Sequence, residues 1–218
     1  MMPKIVSLKQ WTSADQQAVC DSLAKGQVIA YPTDTIYGLG VDVFHDEAVT
    51  KLLNLKGRDR NKPVSILYAS VEKLQRDFDD LSDFQRAAVR TLLPGKVTLL
   101  LPLADQNRFP HVFSVNGFIG VRVVDLPELN RLLSVYPHPI STTSANPAGA
   151  EPARSAAEIR DYFPDGISAI IDNGINSQTL GSVIIRLNRS DWEIVREGAI
   201  PTGRIDELLK QCQRDLYE

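Results

Sequence analysis

Val183-Ile184-Ile185-Arg186-Leu187, then Asn188-Arg189-Ser190-Asp191, then Trp192-Glu193-Ile194-Val195 decide what kind of sheet this chain builds. Two apolar, β-branched runs flank four residues of turn chemistry, so the stretch reads as a β-hairpin. A hairpin joins antiparallel strands, whereas elsewhere apolar β-rich runs alternate with amphipathic helical windows, the pattern of an α/β domain. The expectation is an α/β fold whose twisted sheet is mixed, with helices packed on it. Further strands are expected at Ile5 to Leu8, Val28 to Tyr31, Val64 to Tyr68, Val97 to Leu103, Phe118 to Val123, Ile140 to Thr142 and Ala169 to Ile171. Helices are expected at Ser13 to Lys25, Asp46 to Leu55, Ser82 to Leu93, Leu126 to Val135, Ser155 to Phe163 and Arg204 to Arg214. Ser13 and Ser82 each precede helical apolar spacing and read as N-caps.

The 218 residues, 43% hydrophobic and 23% charged, are enough to bury a sizeable core. No low-complexity linker, repeat or charge block marks a boundary, so a single domain over 1–218 is expected. A net charge of −3 excludes a chain that is basic all over and coats nucleic acid non-specifically, but leaves room for a local basic cleft. Cys20 and Cys212 are the two cysteines, too few for a disulfide framework or a metal cluster. Met1-Met2-Pro3-Lys4 leads into a short apolar run without the h-region of a signal peptide, and no apolar stretch reaches membrane-spanning length. A cytoplasmic location is the resulting expectation.

Two short segments carry the chemistry. Lys56-Gly57-Arg58 with Lys62 offers three cations, and Ser144-Ala145-Asn146 offers small hydroxyl and amide groups with no bulky side chain nearby. Such a pair suits a polyphosphate, since Arg binds phosphate oxygens through a rigid fork and Lys acts as a mobile point charge. Lys56-Gly57 equally fits a helix C-terminus, with a cation in the last turn and Gly just past it. Tyr31 to Gly40 follows a buried strand and crowds Thr33, Asp34, Thr35 and Tyr37 where the chain is expected to turn. Gly38-Leu39-Gly40 lacks the third glycine of a dinucleotide fingerprint, and no Walker-type lysine loop occurs. Arg122, in Gly120-Val121-Arg122-Val123, suits either a sheet-rim pair with a carboxylate such as Asp125 or a bound substrate carboxylate. His45, His111 and His138 match no metal spacing, and no Ser-His-Asp or Cys-His arrangement supports covalent catalysis.

The combined pattern resembles the YrdC-like threonylcarbamoyl-AMP synthases. The residues carrying it are Tyr31 to Gly40, Lys56-Gly57-Arg58 with Lys62-Pro63, Pro94-Gly95-Lys96-Val97-Thr98, Gly120-Val121-Arg122, Ser141 to Asn146 followed by Gly149, and Arg196-Glu197-Gly198. The resemblance implies a YrdC-like fold with a concave basic cleft. It implies a nucleotidyltransferase that converts L-threonine, bicarbonate and ATP into L-threonylcarbamoyladenylate, pyrophosphate and water, for threonylcarbamoyladenosine at position 37 of tRNA. Carried over by position, Lys56 and Arg58 would serve catalysis and, with Lys62, Ser144, Asn146 and Arg196, hold ATP. Thr35, Arg122, Thr142 and Ser182 would hold threonine. Mg²⁺ is expected to accompany ATP, with the phosphates as its main ligands and no dedicated protein metal site. Pathway proteins that pass the intermediate to tRNA are the implied partners. The chain departs from the family pattern at Asp59, where Pro is usual, at Leu67, near which longer members carry His, and at Val183 and Arg186, where a Ser-Thr-x-x-Asp run is common. These departures bear on threonine selectivity, and the extra C-terminal domain of longer relatives is not expected here. Two alternatives stand beside this reading: a YrdC-like module that binds double-stranded RNA or tRNA without catalysis, and a carbamoyladenylate enzyme of the hydrogenase-maturation type. The second belongs to much longer chains with zinc-finger cysteines.

Overall fold

In the computed structural model, which describes residues 2–57, 63–105 and 107–216, the hairpin forms as expected: β10 (Val183–Leu187) and β11 (Trp192–Arg196) pair antiparallel. The Asn188 N–H donates to the Asp191 carbonyl at 2.9 Å across the turn. The other strands are β1 (Lys4–Ser7), β2 (Val28–Tyr31), β3 (Gly38–Gly40), β4 (Ser65–Leu67), β5 (Val97–Pro102), β6 (Ser114–Val115), β7 (Phe118–Arg122), β8 (Ile140–Ser144) and β9 (Ile167–Asp172). They hydrogen-bond in the order β1-β9-β2-β3-β8-β4-β7-β5-β10-β11, with β6 on β7. The pairs β1/β9, β2/β9, β4/β7 and β5/β10 are parallel, and the rest are antiparallel, so the sheet is mixed. Among the described residues seven α-helices pack on it: α1 (Ser13–Ala24), α2 (Asp46–Lys56), α3 (Val71–Asp77), α4 (Asp83–Leu92), α5 (Pro127–Leu133), α6 (Ala156–Tyr162) and α7 (Thr202–Asp215).

Strand alternation sorts these helices onto two faces. Val28 and Ala30 of β2, with Val183, Ile185 and Leu187 of β10, join the larger core, which also holds Leu52 of α2, Val89 of α4, Ile159 of α6 and Leu209 of α7. Ile29 and Tyr31 point the other way, into a second cluster with Val19 and Leu23 of α1 and Leu129 and Leu132 of α5. Leu67 of β4 and Ile140 of β8 belong to that second cluster as well. Their same-face neighbours along the strands, Ser65 and Thr142, line a cleft instead. Polar residues replace apolar ones at that point.

Three local expectations are corrected. Thr12, not Ser13, caps α1: its hydroxyl accepts from the Asp15 N–H, and the Asp15 carboxylate accepts from the Thr12 N–H, a reciprocal box available only with the acid three residues on. Ser82 caps α4 as expected. The segment Val71–Asp77, without a helix in the sequence reading, forms α3 under a Ser70 cap; two turns are too short for a periodic signal.

Gly38-Leu39-Gly40 is the third correction, since it is a strand rather than a turn, clamped antiparallel between β2 and β8. Its glycines are explained by a close approach. A Cβ on Gly40 would sit 2.5 Å from the Ser141 carbonyl oxygen and 2.9 Å from the Tyr31 ring, whose hydroxyl donates to that same carbonyl at 2.9 Å. Gly40→Ala is therefore expected to cost about 1–3 kcal/mol, as overpacking against backbone does. Urea unfolding should show this as a lower midpoint at unchanged slope; an unchanged midpoint would mean that β3 can move away from β8 at no cost.

Candidate active site

The cleft, about 460 Å³, is lined by residues from both halves of the sheet, including Thr33, Thr35, Ser65, Thr98, Arg122, Thr142, Ser144, Ser182 and Arg196. That volume is within the range of small-molecule sites. A cavity of about 140 Å³ near Tyr136 and His138 is far smaller.

Arg122 ends β7 and is 6% exposed. Its Nη2 donates to Asp34 Oδ1 at 2.9 Å and to the Thr35 hydroxyl at 3.2 Å. Asp34 is equally enclosed, and its second oxygen accepts the Asp125 backbone N–H at 2.9 Å. The carboxylate expected beside Arg122 is thus Asp34, 88 residues away, while Asp125 contributes only its N–H. Burial pulls the Arg122 pKa down, and Asp34 opposes that shift. Arg122 lines the cleft, and its Nε is buried with no hydrogen-bond partner among the described residues.

The surrounding hydroxyls are held in place. Thr33 and Thr35 hydroxyls lie 2.9 Å apart, and Thr33 donates to the Ile36 carbonyl at 2.7 Å. On the opposite wall the Thr98 and Ser182 hydroxyls are 2.7 Å apart, and Arg196 Nη2 donates to the Ser182 carbonyl at 2.8 Å. Partial burial lowers the Arg196 pKa. Tyr37 ties the β2–β3 loop to the end of β9, accepting from the Asn173 N–H at 3.0 Å and donating to the Gly174 carbonyl at 2.8 Å. Burial pushes its phenol up to about 12. Asn176 then donates through Nδ2 to the Thr35 carbonyl at 2.9 Å.

The expected phosphate side is arranged differently from a row of exposed cations. Lys56 does end α2, and Gly57 follows in the left-handed conformation at φ 59°, so the helix-end reading holds. The Lys56 side chain is buried, 3% exposed, and Nζ donates to the carbonyls of Ser144 and Asn146, the latter at 2.6 Å. Lys56 therefore clamps the Ser144-Ala145-Asn146 loop from behind. Asn146 Nδ2 is spent on the Pro147 and Ala150 carbonyls, while its Oδ1 is buried without a partner among the described residues. Arg58 and Lys62 lie outside the described residues.

The cleft thus gathers Thr35, Arg122, Thr142 and Ser182 together with Ser144 and Arg196, and Lys56 joins it through the Ser144 and Asn146 carbonyls. Residues 21–198 match the Sua5/YciO/YrdC family model, described as "Telomere recombination". The chain belongs to that family. A threonylcarbamoyl-AMP synthase of Marinobacter nauticus is 39% identical over 160 residues, 73% of this chain and 84% of the relative. One from Cellvibrio japonicus is 36% identical over 149 residues, 68% and 78% of the two chains. Among solved structures, P. abyssi Sua5 complexed with L-threonine superposes with a TM-score of 0.85 at 25% identity, covering 95% of this chain. This chain spans 61% of that longer Sua5 chain. E. coli YciO shares the fold, with a TM-score of 0.80 at 21% identity over 92% of this chain and 97% of YciO.

Within the family, two departures in this chain lose their bearing on the cleft. Val183 points into the larger core, and Arg186 pairs with Glu193 of β11 and lies over the Phe118 ring, 5.4 Å from its centroid. Ser182, just before β10, and Ile184 within it line the cleft.

Proposed function

We propose that this single YrdC-like domain is an L-threonylcarbamoyladenylate synthase acting in tRNA modification. Threonine and bicarbonate combine into N-carboxythreonine with loss of water. Its new carboxylate then attacks the α-phosphorus of ATP, forming the C–O–P anhydride as the α–β phosphoanhydride bond breaks and pyrophosphate leaves. The observation that carries this reading is Arg122: a buried guanidinium beside the cleft, held by Asp34 and ringed by fixed hydroxyls, suits the carboxylate of a small hydroxy amino acid. Thr35, Thr142 and Ser182 complete that subsite. Ser144, Asn146 and Arg196 hold the nucleotide, Lys56 fixes the loop that carries the first two, and Arg58 and Lys62 supply charge to the phosphates.

Enclosing the short-lived N-carboxy species and aligning it with the phosphate provides most of the acceleration, since this chemistry needs placement and charge more than acid–base groups. Mg²⁺ would come with the ATP phosphates as its main ligands, where it would neutralise phosphate charge. The proposed role places the protein in the cytoplasm, beside proteins that pass the adenylate to tRNA; among the described residues no helix is long and apolar enough to cross a membrane. A recessed amino-acid cleft favours this reading over a bare RNA-binding surface.

The test is to incubate pure protein with ATP, bicarbonate and labelled threonine and follow pyrophosphate and threonylcarbamoyl-AMP together. Both should require all three substrates. Full-rate pyrophosphate release in degassed, bicarbonate-free buffer would exclude the N-carboxy route.

A further inference from the structure

Counting protons around the loop Thr33-Asp34-Thr35 fixes the polarity of the amino-acid subsite. A threonine hydroxyl has one proton to give and two lone pairs. Thr33 gives its proton to the Ile36 carbonyl at 2.7 Å and accepts the Thr35 backbone N–H at 3.0 Å. In the 2.9 Å contact between the two hydroxyls Thr33 has no proton left, so Thr35 must be the donor. Thr35 in turn accepts from Arg122 Nη2 at 3.2 Å. One lone pair on Thr35 remains, and no proton. Thr33 has all three hydrogen-bonding positions filled and offers a ligand nothing.

Asp34 has a partner on each of its oxygens. One oxygen holds Arg122 at 2.9 Å, the other the Asp125 N–H at 2.9 Å. With a side chain only 4% exposed, it has no geometry for taking a proton from substrate. Its effect is to compensate the buried guanidinium charge and fix its orientation beside the cleft.

Building on the function proposed above, we infer that Thr33 and Asp34 are positioning residues that set the pocket as one donor pole, Arg122, beside one acceptor pole, Thr35. The ligand class that fits is an amino acid whose carboxylate meets Arg122 and whose N–H or side-chain O–H donates to Thr35. A carboxylate placed on Thr35 would face a lone pair and be repelled. Thr35 therefore discriminates through what it accepts, which follows from Thr33 and not from Thr35 alone.

Calorimetric titration of the full chain with L-threonine, and separately with ATP, tests this. Thr33→Val keeps the shape but removes the acceptor for the Thr35 proton; Thr33→Ser restores it. Thr33→Val should weaken L-threonine by about tenfold or more, Thr33→Ser by less than about threefold, and ATP affinity should stay within about threefold in both. Asp34→Asn should also weaken L-threonine about tenfold, but add less than about twofold in an Arg122→Lys background, because the two residues act through one contact. If Asp34→Asn fails to fold, the Thr33 pair decides alone. Wild-type threonine affinity in folded Thr33→Val, equal loss in Thr33→Ser, or parallel loss of ATP binding would each overturn the assignment. A wild-type protein that binds ATP but no L-threonine would remove the underlying function instead, and the polarity assignment with it.

Discussion

Arg122→Lys should weaken L-threonine binding by about 1.5–3 kcal/mol, roughly 10- to 150-fold in Kd, while ATP affinity changes less than about threefold. Lysine keeps the charge but loses the planar fork, and here the fork has two jobs at once. Nη2 is committed to Asp34 and Thr35, so a substrate carboxylate has to meet another N–H of the fork. A lysine ammonium gathers its donors on one nitrogen and loses that spread. Arg122→Ala should go further, because it strands the Asp34 carboxylate in a site where its side chain is 4% exposed. Breaking a buried ion pair from one side costs about 3–5 kcal/mol, so this variant should also lose much of its stability. Titration with each ligand and urea unfolding separate the two effects. Unchanged threonine affinity in Arg122→Lys would take Arg122 out of the subsite and leave it a sheet residue paired with Asp34.

How much of this was readable in the sequence depends on whether the cause was local. β2 and β10 begin and end where the sequence reading puts them, because runs of β-branched and aromatic residues with flanking turn chemistry are local signals. β3 carries no such signal. Its glycines are there because Tyr31 and the Ser141 carbonyl press against the strand, and that contact exists only once β2, β3 and β8 are side by side. The site divides along the same line. Thr35, Arg122, Thr142 and Ser182 were legible through the motif resemblance, and they do converge on one cleft. The partner of Arg122 was not, since Asp34 and Arg122 meet across β2–β3 and β7, whereas Asp125 looked nearer along the chain. The crowding of Thr33, Asp34, Thr35 and Tyr37 in one segment was the available signal, and it marked the right ten residues without giving their roles. Lys56 ends its helix as the helix-end reading expects, but the contact of Nζ with the Ser144 and Asn146 carbonyls is long-range and has no local signal.

Lys56→Ala should lose activity and stability together, which departs from the behaviour of an exposed phosphate-binding cation. The side chain is buried, and Nζ donates to the Ser144 and Asn146 carbonyls. A charge-assisted hydrogen bond of this kind contributes about 1.5–3 kcal/mol, and truncation leaves both carbonyls to find other donors. For a chain of this length such a loss lowers Tm by about 5–10 °C. The same change frees the loop that carries Ser144 and Asn146, the residues proposed to hold the nucleotide. Loss of placement by about 1 Å is enough to cost about 10²-fold in rate, so kcat/KM for ATP should fall by that order while threonine affinity stays near wild type. Lys56→Met retains the apolar stem and should recover part of the stability but little of the activity. Should Lys56→Ala unfold at the wild-type midpoint and yet lose ATP turnover, Lys56 would be acting on the phosphates directly, and the clamp on residues 144–146 would be incidental.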